Sequence, residues 1–295
     1  MATLYTQQSK NVTKTWLLMT IFFGIIIAIG FIFSQIYNNQ YILYAFFAFS
    51  IIMNIVAYWR SDKIALKQAG AIPADPIQYK DLHNIVENLS ITAGLPKPRV
   101  FIINDPAPNA FATGRDKEHA AIAVTTGILQ ILDRNELEGV IAHELSHVGN
   151  RDILVSTVAV VLAGFIAIAS NAFLHGRMFG GGRSNDRESG GGVLVLIGIL
   201  LAVLAPIFAT LIQLAISRKR EYLADASGAL LTRYPEGLAN ALKKIGEYSQ
   251  PMKKQSNAIA HLYIADPAGK KMSAFAKLWQ THPPIADRIR VLLNK

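Results

Sequence analysis

Ile141-Ala142-His143-Glu144-Leu145-Ser146-His147 is the stretch from which the rest of the chain is read. Two histidines four apart lie about one turn from each other on one helix face, so both imidazoles reach a single ion, and Glu144 projects beside them toward the ion's open side. That is the geometry of a zinc hydrolase. With 7 His and 9 Glu in 295 residues, such a string arises by chance about 0.005 times. Asp133 can serve as N-cap and Glu136, three residues on, completes a capping-box start for the helix. Leu137, Ile141, Leu145 and Val148 recur at helical spacing toward a core, which leaves His143 and His147 on another face, toward a cleft. The alternative is a pair of core histidines bonded to backbone.

Composition points to a membrane. Hydrophobic residues are 52% of the chain and charged ones 17%, too apolar for an ordinary soluble protein. There is no cysteine, so disulfides and thiolate ligands are excluded and the two histidines need oxygen or nitrogen partners elsewhere. The formal charge of +9 comes from Lys and Arg clustered beside apolar segments, as membrane topology requires, and this argues against nucleic acid as a partner.

Trp16 to Ser34 is an apolar run long enough to cross a bilayer, preceded by Lys10 and Lys14; Tyr41 to Trp59 is a second, closed by Arg60, Lys63 and Lys67. Positive charge outside both runs and none between them puts the N-terminus and everything after Arg60 on the cytoplasmic side. Beyond Arg60, Tyr79 to Ala93 has helical spacing, and Arg99 to Ile103 and His119 to Val124 read as strands. Asn109-Ala110-Phe111-Ala112-Thr113-Gly114 between them is either an edge strand beside the cleft, able to pair with an extended peptide backbone, or an ordinary loop. Further apolar runs cover Ile153 to Leu174 and Val193 to Ile216, around a Gly-rich polar segment; they read as spans, with buried core helices as the alternative.

A hydrolytic zinc site holds three protein ligands and leaves one position open. Just beyond the fourth run, Glu221 and Asp225 lie four apart on one helical face. Glu221 can bind the metal while Asp225 accepts the free ring N–H of a ligating histidine; a solvated charged helix is the bland alternative. Two spans separate His147 from Glu221, and an even number returns the chain to the membrane side it left.

At these residues the chain resembles the HtpX-type membrane metalloproteases, a branch of the zincins that includes the CAAX prenyl endopeptidases. The likeness rests on His143-Glu144-Leu145-Ser146-His147, the Glu221-x-x-x-Asp225 segment, Asn109-Ala110-Phe111, and His282-Pro283-Pro284 followed by Arg288, and it covers nearly the whole chain. It implies one zinc per chain held by His143, His147 and Glu221, Glu144 as the catalytic base, Asp225 supporting a ligand, and His282 and Arg288 lining the cleft. His282, with Tyr222 second, is the candidate donor to the oxyanion, and Asn109, Ala110 and Phe111 are candidates for substrate binding. Either donor candidate can equally be structural. The implied setting is the bacterial inner membrane, in stress response and protein quality control, with the bilayer and unfolded or misfolded membrane proteins as partners and the oligomeric state left open.

The expected fold is an α+β membrane protein, mostly helical, with four transmembrane helices and a zincin-like cytoplasmic catalytic domain carrying a small β-sheet. Residues 1–59 form a hairpin (16–34, 41–59), 60–152 the first catalytic part, 153–216 a second hairpin (153–174, 193–216) around the loop 175–192, and 217–295 the second catalytic part with the third ligand. His83, His119, His175 and His261 have no ligand spacing with the motif and are read as ordinary. The competing functions are a CAAX-type prenyl-peptide endopeptidase and a non-catalytic membrane scaffold with a structural metal site; the latter is normally closed by four protein ligands, where three plus a base are found here.

Overall fold

Two long apolar helices open the chain, α1 (Leu4–Ile36) and α2 (Gln40–Ala69). The computed structural model describes residues 4–162, 164, 218–253, 259–267 and 283–294. The 175–192 loop, the fourth apolar run, His175 and His282 therefore lie outside the described residues. Within them, two helices are long and apolar enough to cross a membrane, Gln8–Ile36 and Gln40–Ala69. Both leave large apolar side chains uncovered, among them Trp16, Leu17, Phe31, Tyr41, Ile52 and Trp59, as helices facing hydrocarbon do.

The hairpin turns at Asn38 (φ 47°), and Asn39 caps α2 by accepting from the Tyr41 N–H at 2.9 Å. The helix continues past the end of the second apolar run at Trp59 and runs unbroken to Ala69. The segment after Arg60 is rich in good helix formers, and Ala65, Leu66 and Ala69 are buried against the sheet. The helix stops at Gly70 (φ 68°, ψ 28°), whose N–H reaches back to the Leu66 and Lys67 carbonyls.

Four strands follow in the spatial order β1-β2-β4-β3: β1 (Ile72–Pro73), β2 (Arg99–Ile103), β3 (Ala110–Thr113) and β4 (Ala121–Thr125). β2 and β4 are parallel, while β1 on β2 and β3 on β4 are antiparallel. Because side chains alternate along a strand, the sheet serves two cores. Val100, Ile102, Ala110, Ala112, Ile122 and Val124 face α3 (Lys80–Ala93) and the other helices of the catalytic part. Ile103, Phe111, Ala121 and Ala123 face α2, together with Val160 and Tyr263. Each fully buried Ile or Val in these layers stabilises by ~1.5–3 kcal/mol. The Asn109–Gly114 segment is thus a strand at the sheet edge, yet all four β3 residues are buried.

Thr125 caps the short α4 (Thr126–Ile131), and Asp133 starts α5 (Arg134–Gly149). The capping box is present: Glu136 N–H donates to Asp133 at 3.0 Å and the Glu136 carboxylate accepts the Asp133 N–H at 2.9 Å. Leu137, Ile141, Leu145 and Val148 sit in the main core. α6 (Asp152–Leu162) packs Leu154, Val155 and Val158 against the apolar hairpin. Three further helices complete the described fold: α7 (Arg218–Thr232), α8 (Pro235–Glu247) and α9 (Ile285–Leu292). α7 crosses α5 closely at Gly228, where a Cβ would stand 2.9 Å from the His143 backbone nitrogen. Only a glycine permits that approach.

Candidate metal centre

α5 carries His143 and His147 one turn apart, and their Nε2 atoms stand 3.2 Å from each other with the rings at 90°. Each ring is turned by a carboxylate on its far side. His143 Nδ1 lies 2.9 Å from Asp225 Oδ1, and His147 Nδ1 lies 3.1 Å from Asp152 Oδ2. With both Nδ1–H groups donating to carboxylates, both Nε2 atoms present lone pairs to the same point. α7 brings Glu221 to that point, its oxygens 3.5 Å from His147 Nε2 and 3.9 Å from His143 Nε2.

This donor set fits a zinc ion. Bonds of about 2.0–2.1 Å in a tetrahedron space the ligand atoms about 3.3 Å apart, and the three donors lie within 4.8 Å of one another with nearest separations of 3.2 and 3.5 Å. The electrostatics agree. Burial opposes a charge on His147, but the Asp152 hydrogen bond and the carboxylates of Glu221, Asp152 and Glu144 outweigh it and raise its pKa to about 9. The pocket therefore favours a cation at the imidazole pair.

Glu144 is 2% exposed beside the pair. Burial raises its pKa above the usual carboxylate range and the neighbouring Glu221 charge adds to this; the two histidines and the backbone of Ala112 pull the other way. The carboxylate is thus held with elevated proton affinity in the cavity that His143, His147 and Glu221 also line.

Arg288, on α9, is fully buried and grips Asp225 through two parallel bonds, Nε to Oδ2 at 2.8 Å and Nη2 to Oδ1 at 2.6 Å. Its third bond, from Nη1, goes to the Ile264 carbonyl at 3.2 Å. Burial opposes the Asp225 charge, but the Arg288 guanidinium and the bond from His143 bring its pKa down to about 2.

The structure brings His143, Glu144, His147, Glu221, Asp225 and Arg288 together. It places the other described candidates differently. Tyr222 is half-buried and is not among the residues lining the cavity. Asn109 points to the segment after the 3₁₀ turn Ala260–Leu262: its amide donates to the Ala265 carbonyl at 2.9 Å and accepts the Ala265 N–H at 3.3 Å. The Ala110 carbonyl is already taken by Ile264 N–H at 2.9 Å. Phe111 turns under the sheet and meets Tyr263 edge-on, with centroids 5.1 Å apart. The β3 residue at the cavity is Ala112.

Several site residues escaped the sequence reading. Asp152 backs His147, Arg220 lines the cavity, and His261, read as ordinary, lines it as well. Only Asp152 carried a signal, an acid five residues after His147 and immediately before an apolar run.

Residues 76–295 match Peptidase family M48. Curated relatives align along almost the whole chain. A Protease HtpX homolog of Caldanaerobacter subterraneus subsp. tengcongensis is 49% identical over 294 residues, covering 98% of this chain and 97% of the relative. A second Protease HtpX homolog, of Thermoanaerobacter pseudethanolicus, is 48% identical over 296 residues, with the same coverage of 98% and 97%. Among solved structures, the crystal structure of S. mikatae Ste24p superposes with a TM-score of 0.53 at 18% identity, covering 98% of this chain and 67% of that one. At that identity the likeness speaks for the fold, which is mostly helical with a small mixed sheet. A catalytic-type donor set, a buried carboxylate beside it and these matches converge: the chain belongs to peptidase family M48 and is a metalloprotease.

Proposed function

We propose that the chain is a membrane-anchored zinc endopeptidase holding one zinc per chain on His143, His147 and Glu221, with Glu144 as its general base. The observation that carries this reading is the pair of Nε2 atoms 3.2 Å apart, each with its Nδ1 committed to a carboxylate. Two lone pairs pointed at each other repel unless a positive charge lies between them, a proton on His147 in the metal-free chain or a zinc ion held together with Glu221. His143, His147 and Glu221 would hold zinc here, and the bound metal would supply Lewis acidity to the water and the scissile carbonyl.

The chain's own residues do the rest. Glu144, whose proton affinity is raised by burial, takes the proton of the attacking water at its carboxylate and hands it to the departing amine. The backbone of Ala112 holds that carboxylate at the cleft. Asp225 and Asp152 fix the imidazole tautomers, and Arg288 keeps Asp225 ionised and immobile. The β3 edge from Ala112 onward supports an extended substrate backbone, with Asn109 and Ala110 fixing the strand rather than touching substrate.

The positive flanks of the apolar hairpin, Lys10 and Lys14 before it and Arg60, Lys63 and Lys67 after it, support a catalytic part on the cytoplasmic side. The two-part organisation around a second membrane hairpin agrees with α6 packing on the first one. A shallow site at the bilayer surface suits misfolded or damaged membrane proteins as substrates, in the inner membrane of a bacterium. The test uses purified full chain in detergent with an unfolded protein substrate. Cleavage stops with a chelator and returns with zinc, and Glu144→Gln keeps its zinc while losing cleavage. Substantial turnover by the mutant would remove Glu144 from the role of base.

A further inference from the structure

Behind the Nδ1 side of His147, Asp152 is itself part of a buried polar cluster that reaches to the first helix. Asp152, at the start of α6, turns one oxygen to His147 Nδ1 at 3.1 Å. Its other oxygen accepts from Asn11 Nδ2 at 2.7 Å and from Arg220 Nη1 at 3.2 Å. Asn11 is fully committed as well. Its amide also donates to the Asn150 carbonyl at 2.9 Å, and its Oδ1 receives Arg220 Nη1 at 3.4 Å. Asn11, Asp152 and Arg220 are 1%, 4% and 8% exposed, so the three elements α1, α6 and α7 meet here through side chains withdrawn from water.

Burying an amide costs free energy unless each of its polar atoms is bonded. Asn11 makes those bonds to the loop and helix that follow His147. Gln8, three residues earlier and on the same face of α1, donates to the Gly149 carbonyl at the end of α5 at 2.6 Å. The first turns of α1 are thereby fastened at two points to the C-terminal end of the helix bearing both histidines. A carboxylate that turns a ligating imidazole is effective only while it is itself held.

We propose that Asp152 is the positioning residue of His147 and that the docked start of α1, through Asn11 with Arg220, holds Asp152 in place, so that the metal affinity of the site depends on the seating of the N-terminal helix. The inference rests on the reading that His143, His147 and Glu221 hold the metal. On it, α1 is a working part of the metal centre as well as an anchor. A loosened N-terminal helix lowers metal occupancy without any change in the ligands.

The experiment titrates zinc into the stripped full chain in detergent against a chromophoric chelator, and follows unfolding of the same zinc-free proteins. Asp152→Asn weakens zinc binding by about 10- to 100-fold, and Asn11→Leu, one bond further out, by about 10-fold. Asn11→Ser, too short to reach Asp152, moves affinity in the same direction and serves if the leucine variant fails to fold. Leu17→Ala, on the exposed face of α1 (58% exposed), leaves affinity unchanged. Wild-type affinity in a folded Asn11 variant, with or without lowered zinc-free stability, would overturn the link through α1; wild-type affinity in Asp152→Asn would overturn the positioning role. A wild-type chain that takes up no zinc, or a Glu221→Ala chain that binds as tightly as wild type, would overturn the metal site itself and this inference with it.

Discussion

The two histidines of one helix are held by different parts of the molecule. His143 leans on Asp225, which Arg288 clamps through two bonds inside the catalytic core. His147 leans on Asp152, which is held by Asn11 from the first membrane helix and by Arg220 at the start of α7. Both use the same chemistry, a carboxylate turning an imidazole and a guanidinium holding the carboxylate. They differ in setting. The first support is sealed, with Arg288 fully buried, whereas Arg220 stays 8% exposed and shares its acid with an amide. One imidazole is thus held from within the catalytic core and the other through a residue of the first helix.

That contrast is broken most strongly at Arg288. Arg288→Met leaves the Asp225 carboxylate buried without its counter-ion and costs about 3–5 kcal/mol in denaturant unfolding of the zinc-free chain. Arg220→Met, where Asp152 keeps Asn11 and His147 as partners, costs about 1.5–3 kcal/mol. Equal losses would erase the distinction between a sealed and a shared support.

Acid sharpens the comparison. The Asp225 pKa falls from 3.8 to about 2 in the folded chain, so its stabilisation is complete above its unfolded pKa and is lost as pH drops through the folded one. The zinc-free protein should lose about 2 kcal/mol between pH ~4 and pH ~2 from this group. Asp225→Asn should lack that limb of the stability profile; an unchanged limb would place the titration elsewhere.

Gly228→Ala acts on the His143 side through packing. Its Cβ would stand 2.9 Å from the His143 backbone nitrogen, forcing α7 off α5 at a cost of about 1–3 kcal/mol and drawing Glu221 away from the imidazoles. Zinc affinity should fall with stability, as measured by chelator competition. Asp133→Ala has the smallest effect, about 1 kcal/mol, because it frays the start of α5 well before either histidine. It should change thermal stability and leave zinc affinity alone.

The parts legible in the sequence are those written within one element. The capping box at Asp133 and Glu136, the limits of β2 and the helical spacing of His143, His147, Glu221 and Asp225 are all local patterns, and the structure has helices and strands where they fall. Parity of membrane crossings then suggested that the two ligand-bearing helices share one side. What stayed hidden depends on which elements converge. Arg220 read as one of the cations expected beside a membrane, and Asn11 fell between Lys10 and Lys14, which read as topology signals; their partners lie 68 and 141 residues away. Asn109 looked like a cleft residue because it adjoins an edge strand, while its amide fastens a segment more than 150 residues on. His261 had no spacing to the motif, and only tertiary structure brings it to the cavity. The continuation of α2 to Ala69 was hidden by a change in composition at Arg60 that the backbone does not follow.

The central claim is that Glu221 shares one ion with His143 and His147. X-ray absorption at the zinc edge of the Glu144→Gln full chain, with metal content determined on the same sample, tests it most directly. The account predicts one zinc per chain with nitrogen and oxygen neighbours at about 2.0–2.2 Å and loss of that zinc in Glu221→Ala. A chain that carries no zinc, or a Glu221→Ala spectrum identical to that of Glu144→Gln, would contradict it.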